Sequence, residues 1–269
     1  MKKYKLTNET IVHFGFTLYR IEALMDFSDV KAGDKGGFVQ SENNLSQLCN
    51  AWVYGNAKVY GNAKVYDNAK VCDYAKVCGD AEVYGNAKVY GDAEVYGNAM
   101  VCDYVKVCGD AEVYGNAKVY GNAEVYGNAE VYGNAMVYGD AKVCDYAKVC
   151  GDAEVYGNAK VYGDAEVYGN AMVCDYVKVR GDAKVYGKAE VRGDAKVYKN
   201  SDYIVFKNWW SSGRYFTWTR GNNMWKVGCF YGNGEELIKK AYADSEESGR
   251  EYERVVKYVE SILADELNK

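Results

Sequence analysis

The feature that most constrains this chain is a six-residue unit, Asn-Ala-Lys-Val-Tyr-Gly. It is first met as Asn50-Ala51-Trp52-Val53-Tyr54-Gly55 and recurs 25 times, to about Lys199, without insertion or deletion. The second slot is alanine except at Val105 and Val177, and the fourth is valine every time. Alternate residues of a strand point to opposite faces, so alanine and valine share one face and the residue between them takes the other. Alanine and valine are therefore expected to face inward, and the third slot (Lys, Glu, Met or Trp52) to face water. Tyr-Gly-Asn makes the corner, because glycine and asparagine tolerate the positive φ of a tight bend. A strict period of this kind marks a stacked repeat, in which each unit buries its apolar face against the next.

Six residues to a side fit a three-sided coil in which residues 18 apart stack in columns. Coils rise by the strand spacing, ~4.8 Å, so about eight of them make a rod roughly 40 Å long. The chain from Tyr74 reads almost identically from Tyr146, 72 residues on, which is four whole coils and leaves every column in register. This pattern resembles the left-handed parallel β-helix of the hexapeptide-repeat superfamily; the left hand is implied by the resemblance, not by the spacing. The expected fold is mainly β. It comprises a left-handed parallel β-helix of about eight three-sided coils over residues 50–199, an N-terminal β cap over 1–49 and a small α+β domain over 200–269.

Sorting the outward slots into columns predicts three unlike sides. One column runs Trp52, Lys70, Lys88, Lys106, Glu124, Lys142, Lys160, Lys178, Lys196 and is nearly all lysine. A second is acid-rich in its middle, with Glu94, Glu112 and Glu130, and is flanked by Asp92, Asp110, Asp164 and Asp182. The third is mixed and carries Met100, Met136 and Met172 on every second coil. One corner column alternates tyrosine with Cys72, Cys108 and Cys144, so neighbouring cysteines lie two coils apart, about 9.6 Å. A disulfide needs Cα atoms within roughly 7 Å. The repeat cysteines are therefore expected as free thiols with neither disulfide nor metal, packing against tyrosine in a reducing cytoplasm.

The ends should cap the open coil edges. Ile11 to Ile21 reads as a hairpin pivoting near Gly15. The following Asp26-Phe27-Ser28-Asp29-Val30-Lys31-Ala32-Gly33-Asp34-Lys35-Gly36-Gly37 resembles the leader of a bacterial and phage branch of hexapeptide-repeat proteins. That resemblance implies a capping lead-in and no active-site residue. After residue 200, strands are expected at Tyr203–Phe206, Arg214–Thr219 and Met224–Phe230, and helices at Glu235–Ser245 and Glu251–Leu267.

A formal net charge of −5 argues against a dedicated nucleic-acid binder. No segment reaches the roughly 20 apolar residues that cross a bilayer. Thr7-Asn8-Glu9-Thr10 stands where a signal peptide needs its apolar stretch. The expectation is a cytoplasmic protein that does not engage membranes. The superfamily resemblance implies acyl transfer as one reading, for which a histidine would serve as general base. The one histidine, His13, lies in the cap, and no loop interrupts the coils to build a donor pocket, so catalytic residues and cofactors are expected to be none. The favoured reading is a non-enzymatic binding or scaffold protein that acts on a protein partner, host-derived if the chain is phage-encoded. Its candidate contacts are Lys70, Lys88, Lys106, Lys142, Lys160, Lys178 and Lys196, with Trp209, Trp210, Trp218 and Trp225 in the C-terminal domain. A nucleic acid on the lysine column, or an acidic face that imitates nucleic acid, is the alternative. Relatives of this superfamily associate as trimers along their prisms, so a homo-oligomer is also among the expected partners.

Overall fold

A computed structural model describes residues 2–267. Alanine and valine of every repeat are buried, and together they form one continuous apolar column along the rod. Each unit contributes a two-residue strand, the third-slot residue and its valine, to one of three parallel sheets. Hydrogen bonding explains why so short a strand suffices. In most units three amides donate to the next coil, as Lys88 N to Val105 O (2.9 Å), Tyr90 N to Val107 O (3.0 Å) and Asp92 N to Gly109 O (2.9 Å). The sixth slot sits at positive φ at every corner from Gly55 to Gly193. Glycine fills it at most corners, as Gly91 (φ 73°), and an added Cβ there would lie 3.0 Å from the backbone of Gly109.

The lysine face holds nine strands, so the rod has nine turns where about eight were expected. The N-terminal segment supplies two sides of the first turn, through Val39 and Leu45, and Trp52–Val53 of the first repeat supplies the third. Strands β1 (Tyr4–His13) and β2 (Phe16–Ala23) form an antiparallel hairpin that turns at Phe14-Gly15. Strand β3 (Lys35–Val39) then pairs antiparallel with β2 and parallel with Lys58–Val59 of the rod. Val39 pairs with Val59 and Leu45 bridges Val65, each 20 residues on, whereas Val53 pairs with Val71, 18 on. Two additional residues are therefore taken up between Leu45 and Val53, where Cys49 turns at φ 55°. Gly36 and Gly37 allow the cap to close on the rod: a Cβ on Gly36 would lie 2.5 Å from Ile21, and one on Gly37 2.6 Å from Ala57 O.

Trp52 corrects the expectation that the third slot faces water. It is 1% exposed. The cap lies over it, with the rings of Tyr4 and Phe27 edge-on at 6.1 and 5.3 Å.

The C-terminal domain has a four-stranded antiparallel sheet, Tyr203–Lys207, Tyr215–Thr219, Met224–Val227 and Phe230–Gly232, followed by helices α1 (Gly234–Asp244) and α2 (Glu246–Leu267). The expected third strand is two, because Gly228 turns the chain at φ 53°. Asn233 and Glu236 form a reciprocal capping box at the start of α1. No helix among the described residues is long and apolar enough to cross a membrane.

Candidate functional site

Strand register places the lysine column as counted, each residue beside the one 18 on, from Trp52–Lys70 through Lys178–Lys196. The seven lysines are not equivalent. Lys70 is held by Asp29 of the cap at 2.7 Å. Lys106 and Lys142 clamp Glu124 from the turns on either side, at 3.1 and 2.6 Å. Lys142 and then Lys106 keep the Glu124 carboxyl below its ordinary value against the opposing effect of burial. Lys88, Lys160, Lys178 and Lys196 are exposed and have no carboxylate within ion-pair distance among the described residues.

The acid-rich face is largely compensated. Lys76 pairs with Glu94 (2.5 Å), Lys148 with Glu130 (2.8 Å) and Lys184 with Glu166 (3.0 Å), while Glu112 accepts a hydrogen bond from the Tyr96 hydroxyl. The mixed face shows the same device, with Tyr66 donating to Glu82 and Tyr138 to Glu154, both at 2.9 Å.

Corner tyrosines stack in ladders that the sequence reading did not anticipate. Tyr96, Tyr114 and Tyr132 stack with ring centroids 4.8 and 4.9 Å apart, as do Tyr120, Tyr138 and Tyr156 at 4.8 Å. Many of these runs end on a thiol. Contact with the Cys102 thiol, then burial, pushes Tyr84 up to about 12, and Tyr132 is raised likewise by Cys150. Burial in turn pushes the Cys72 thiol up to about 11. All nine cysteines are free.

A second class of corner carries a different residue set. At four corners the chain reads Cys-Asp-Tyr, at 72–74, 102–104, 144–146 and 174–176. There aspartate takes the glycine slot at φ 62°. It holds that conformation by accepting a hydrogen bond through Oδ2 from the glycine amide of the next coil, as Asp73 from Gly91 N (3.0 Å) and Asp103 from Gly121 N (2.9 Å). The following tyrosine is turned outward: Tyr74, Tyr104, Tyr146 and Tyr176 are 56–66% exposed. Tyr104 and Tyr176 lie on the edge leading into the lysine face, and Tyr74 and Tyr146 on the edge leading out of it. The edge between the other two faces carries Asn, Asp or Lys188 at that position. The tripeptide is the sequence signal for this corner, beyond the alternation of tyrosine with cysteine.

Two of the four C-terminal tryptophans are not surface contacts. Trp218 (0% exposed) and Trp225 (1%), paired on neighbouring strands, fill the core between sheet and helices with Leu237, Tyr252 and Val256. Trp210 is half-buried against Tyr252, which leaves Trp209 as the exposed ring. His13 packs its ring on Tyr60 and Phe14, and burial followed by Lys58 and Lys76 holds it below the ordinary imidazole value. A hollow of about 550 Å³ lies between the rod and this domain, lined by Met172, Lys188, Glu190, Ser212, Arg214 and Tyr215 among others.

A family model described as YdcK Beta solenoid repeat matches residues 129–145. That stretch is one turn of the rod, with a strand from each face. No curated protein matches the chain. The repeat match and the stacked coils agree that the chain is a β-solenoid repeat protein.

Proposed function

We propose that the chain is a non-enzymatic binding scaffold, a capped rod that offers its lysine face to a protein partner. The observation that carries this reading is the placement of the four most exposed tyrosines of the rod, Tyr74, Tyr104, Tyr146 and Tyr176, on the two edges of that face, while Tyr186, 47% exposed, stands on the third edge. Tyrosine supplies a large amphipathic contact area at low entropic cost and is enriched at protein contacts. Mixed charge supports a protein over a polyanion. The edges of the face carry Asp67, Asp73, Asp103, Asp145 and Asp175 in the glycine slot, besides Asp92, Asp110, Asp164 and Asp182, which would oppose a phosphate backbone. The run of unpaired Lys160, Lys178 and Lys196 is what favours the polyanion reading. That reading requires a salt-sensitive mobility shift with nucleic acid at low ionic strength.

The same reading places the chain in the left-handed hexapeptide-repeat superfamily, in the branch shared by bacteria and phages. It rests there on the invariant six-residue period and the Asp26–Gly37 leader. A cytoplasmic setting is supported by the many free thiols. Acyl transfer is disfavoured because the imidazole of His13 is packed on Phe14 of the cap hairpin and on Tyr60. The test is a photoreactive residue placed at Lys178 or, on the mixed face, at Lys118. Capture of protein from host extract should be strong from position 178 and weak from 118. Equal capture from both would sink the assignment of the lysine face.

A further inference from the structure

The edge that leads out of the lysine face has a regular order of its own. It reads Asn56, Tyr74, Asp92, Asp110, and then again Asn128, Tyr146, Asp164, Asp182. The four aspartates are exposed and have no cation within ion-pair distance among the described residues. Each stands four residues after a lysine of the same turn: Lys88, Lys106, Lys160 and Lys178. A cation on the face and a carboxylate on the edge therefore share each of four rungs. The rungs of either block are one strand spacing apart, ~4.8 Å.

We propose that this surface docks a second copy of the chain, parallel and in register about a two-fold axis along the rod. Each copy would be displaced sideways so that its lysine column lies over the aspartate row of the other. The proposal rests on the reading of the lysine face as the binding face, and it names the partner.

Symmetry selects the parallel arrangement. Turning one rod end for end about an axis lying in the contact plane leaves the lateral order of the columns unchanged, so lysine would meet lysine and aspartate would meet aspartate. A two-fold axis parallel to the rods reverses that order, and the contact is isologous. Lys88 of one copy then meets Asp92 of the other, and the same holds for Lys106 with Asp110, Lys160 with Asp164 and Lys178 with Asp182. Tyr74 and Tyr146 meet Lys70 and Lys142 in the same way, ring against ammonium. Spacing argues for a second copy over another partner. Charges repeated at the strand spacing are matched rung for rung by a rod of the same rise, and a different polymer falls out of step after a few rungs.

A charge exchange tests this. One variant carries Lys88→Glu, Lys160→Glu and Lys178→Glu; the other carries Asp92→Lys, Asp164→Lys and Asp182→Lys. Wild type should sediment as a dimer at low ionic strength and dissociate as salt rises. Each variant alone should be monomeric, with self-affinity weakened tenfold or more, and the equimolar mixture should dimerise again. A monomeric wild type, variants that dimerise as wild type does, or a folded mixture that stays monomeric would each overturn the proposal. If a charge-reversed variant fails to fold, the Lys→Gln and Asp→Asn counterparts at the same positions replace it and should dissociate as well. With Cys49→Ser removing the other exposed thiol, spin labels on Cys229 report orientation: parallel docking brings the two labels to one end, and a separation near the rod length overturns it. Crosslinks from position 178 should join two copies. Crosslinks to other proteins alone would remove the second copy as partner while leaving the lysine face in place, and equal capture from position 118 would remove both.

Discussion

The two ends of the rod are opposites, and their caps differ accordingly. Because the coil amides donate toward the following turn, the first turn presents carbonyls without donors and the last presents amides without acceptors. The N-terminal cap supplies donors. Lys3 Nζ reaches Ala51 O at 2.8 Å, and Asn44 Nδ2 is shared between Gly61 O (3.0 Å) and Ala63 O (2.9 Å). The amides of Phe38, Gln40 and Ser46 serve Ala57, Val59 and Val65. The C-terminal cap supplies acceptors instead. Asn200 Oδ1 takes the Lys184 amide at 2.8 Å, Thr217 Oγ1 the Glu190 amide at 2.9 Å, and the Tyr203 hydroxyl oxygen the Tyr186 amide at 3.3 Å. Each cap also corks the apolar column, with Tyr4 and Leu45 at one end and Tyr203 at the other. A solenoid is polar in its hydrogen bonds even where its side chains are periodic, so one kind of cap cannot close both ends.

Removing a cap is the harshest way to break this comparison. Deleting residues 200–269 would leave the final amides bare and the Ala/Val column open, and unpaired edges invite association. The soluble monomer should be lost into aggregates on size-exclusion chromatography. Deleting residues 1–49 as well leaves donors at one end and acceptors at the other, which fit each other. Filaments giving the ~4.8 Å reflection of stacked strands are then expected. Amorphous material from the doubly deleted rod would show that complementarity of the ends is too weak to direct stacking.

A single isosteric change sharpens the contrast. Asn44 is 1% exposed and works as a donor to two carbonyls, whereas Asn200 is exposed and works as an acceptor. Asn44→Asp abolishes both donated bonds and sets a buried carboxylate against carbonyl oxygens, a loss of about 3–5 kcal/mol. Asn200→Asp keeps its acceptor, so its effect should stay within roughly 0.5 kcal/mol. Equal shifts in the urea midpoints of the two variants would mean that cap polarity does not matter.

The rod's interior was legible because inside and outside alternate within each unit, and its columns because 25 units run without insertion. Residues governed by contacts from outside the period were not. Trp52 occupies an outward slot, yet Tyr4 and Phe27 cover it from a segment with no repeat. The first turn escaped notice because its two extra residues break the count just where Val39 and Leu45 enter the sheets. Trp218 and Trp225 looked like surface anchors because local sequence gives no clue to which face of a strand two helices will cover. On the candidate face, counting found the lysines but not their neutralisation, since Asp29 is supplied to Lys70 from the cap. The outward tyrosines were readable in principle, for Cys-Asp-Tyr departs from Tyr-Gly-Asn at all three positions.

Alkaline pH tests the rod through its corner tyrosines. Thiol contact and then burial push Tyr84, Tyr90 and Tyr132 up to about 12 from an ordinary 10, and burial and then thiol contact do the same to Tyr156. A folded-state value above the unfolded one means that this stability is complete below pH 10 and is lost as the pH rises through about 12. The last part of the phenolate absorbance, that of the ladders, should therefore appear together with loss of β-sheet dichroism above pH 10. Full phenolate absorbance reached with the sheet signal intact would mean that the ladders leave their phenols free to ionise.

An effect smaller than that of Asn44→Asp belongs to the N-terminal cap alone. Lys3 is buried among carbonyls, and desolvation lowers it from 10.5 to about 8. Below pH 8 both folded and unfolded chains hold the proton, and Lys3 contributes no pH dependence. Between about 8 and 10.5 the unfolded chain binds more protons than the folded one, so this group makes stability rise with pH. Lys3→Met removes both the donor to Ala51 O and that rise. Wild type should exceed the variant at pH 7, and the gap in urea midpoints should widen by on the order of 1–2 kcal/mol by pH 10. A narrowing gap would mean that the neutral amine no longer serves the Ala51 carbonyl, and that the N-terminal cap closes the rod through a charged donor.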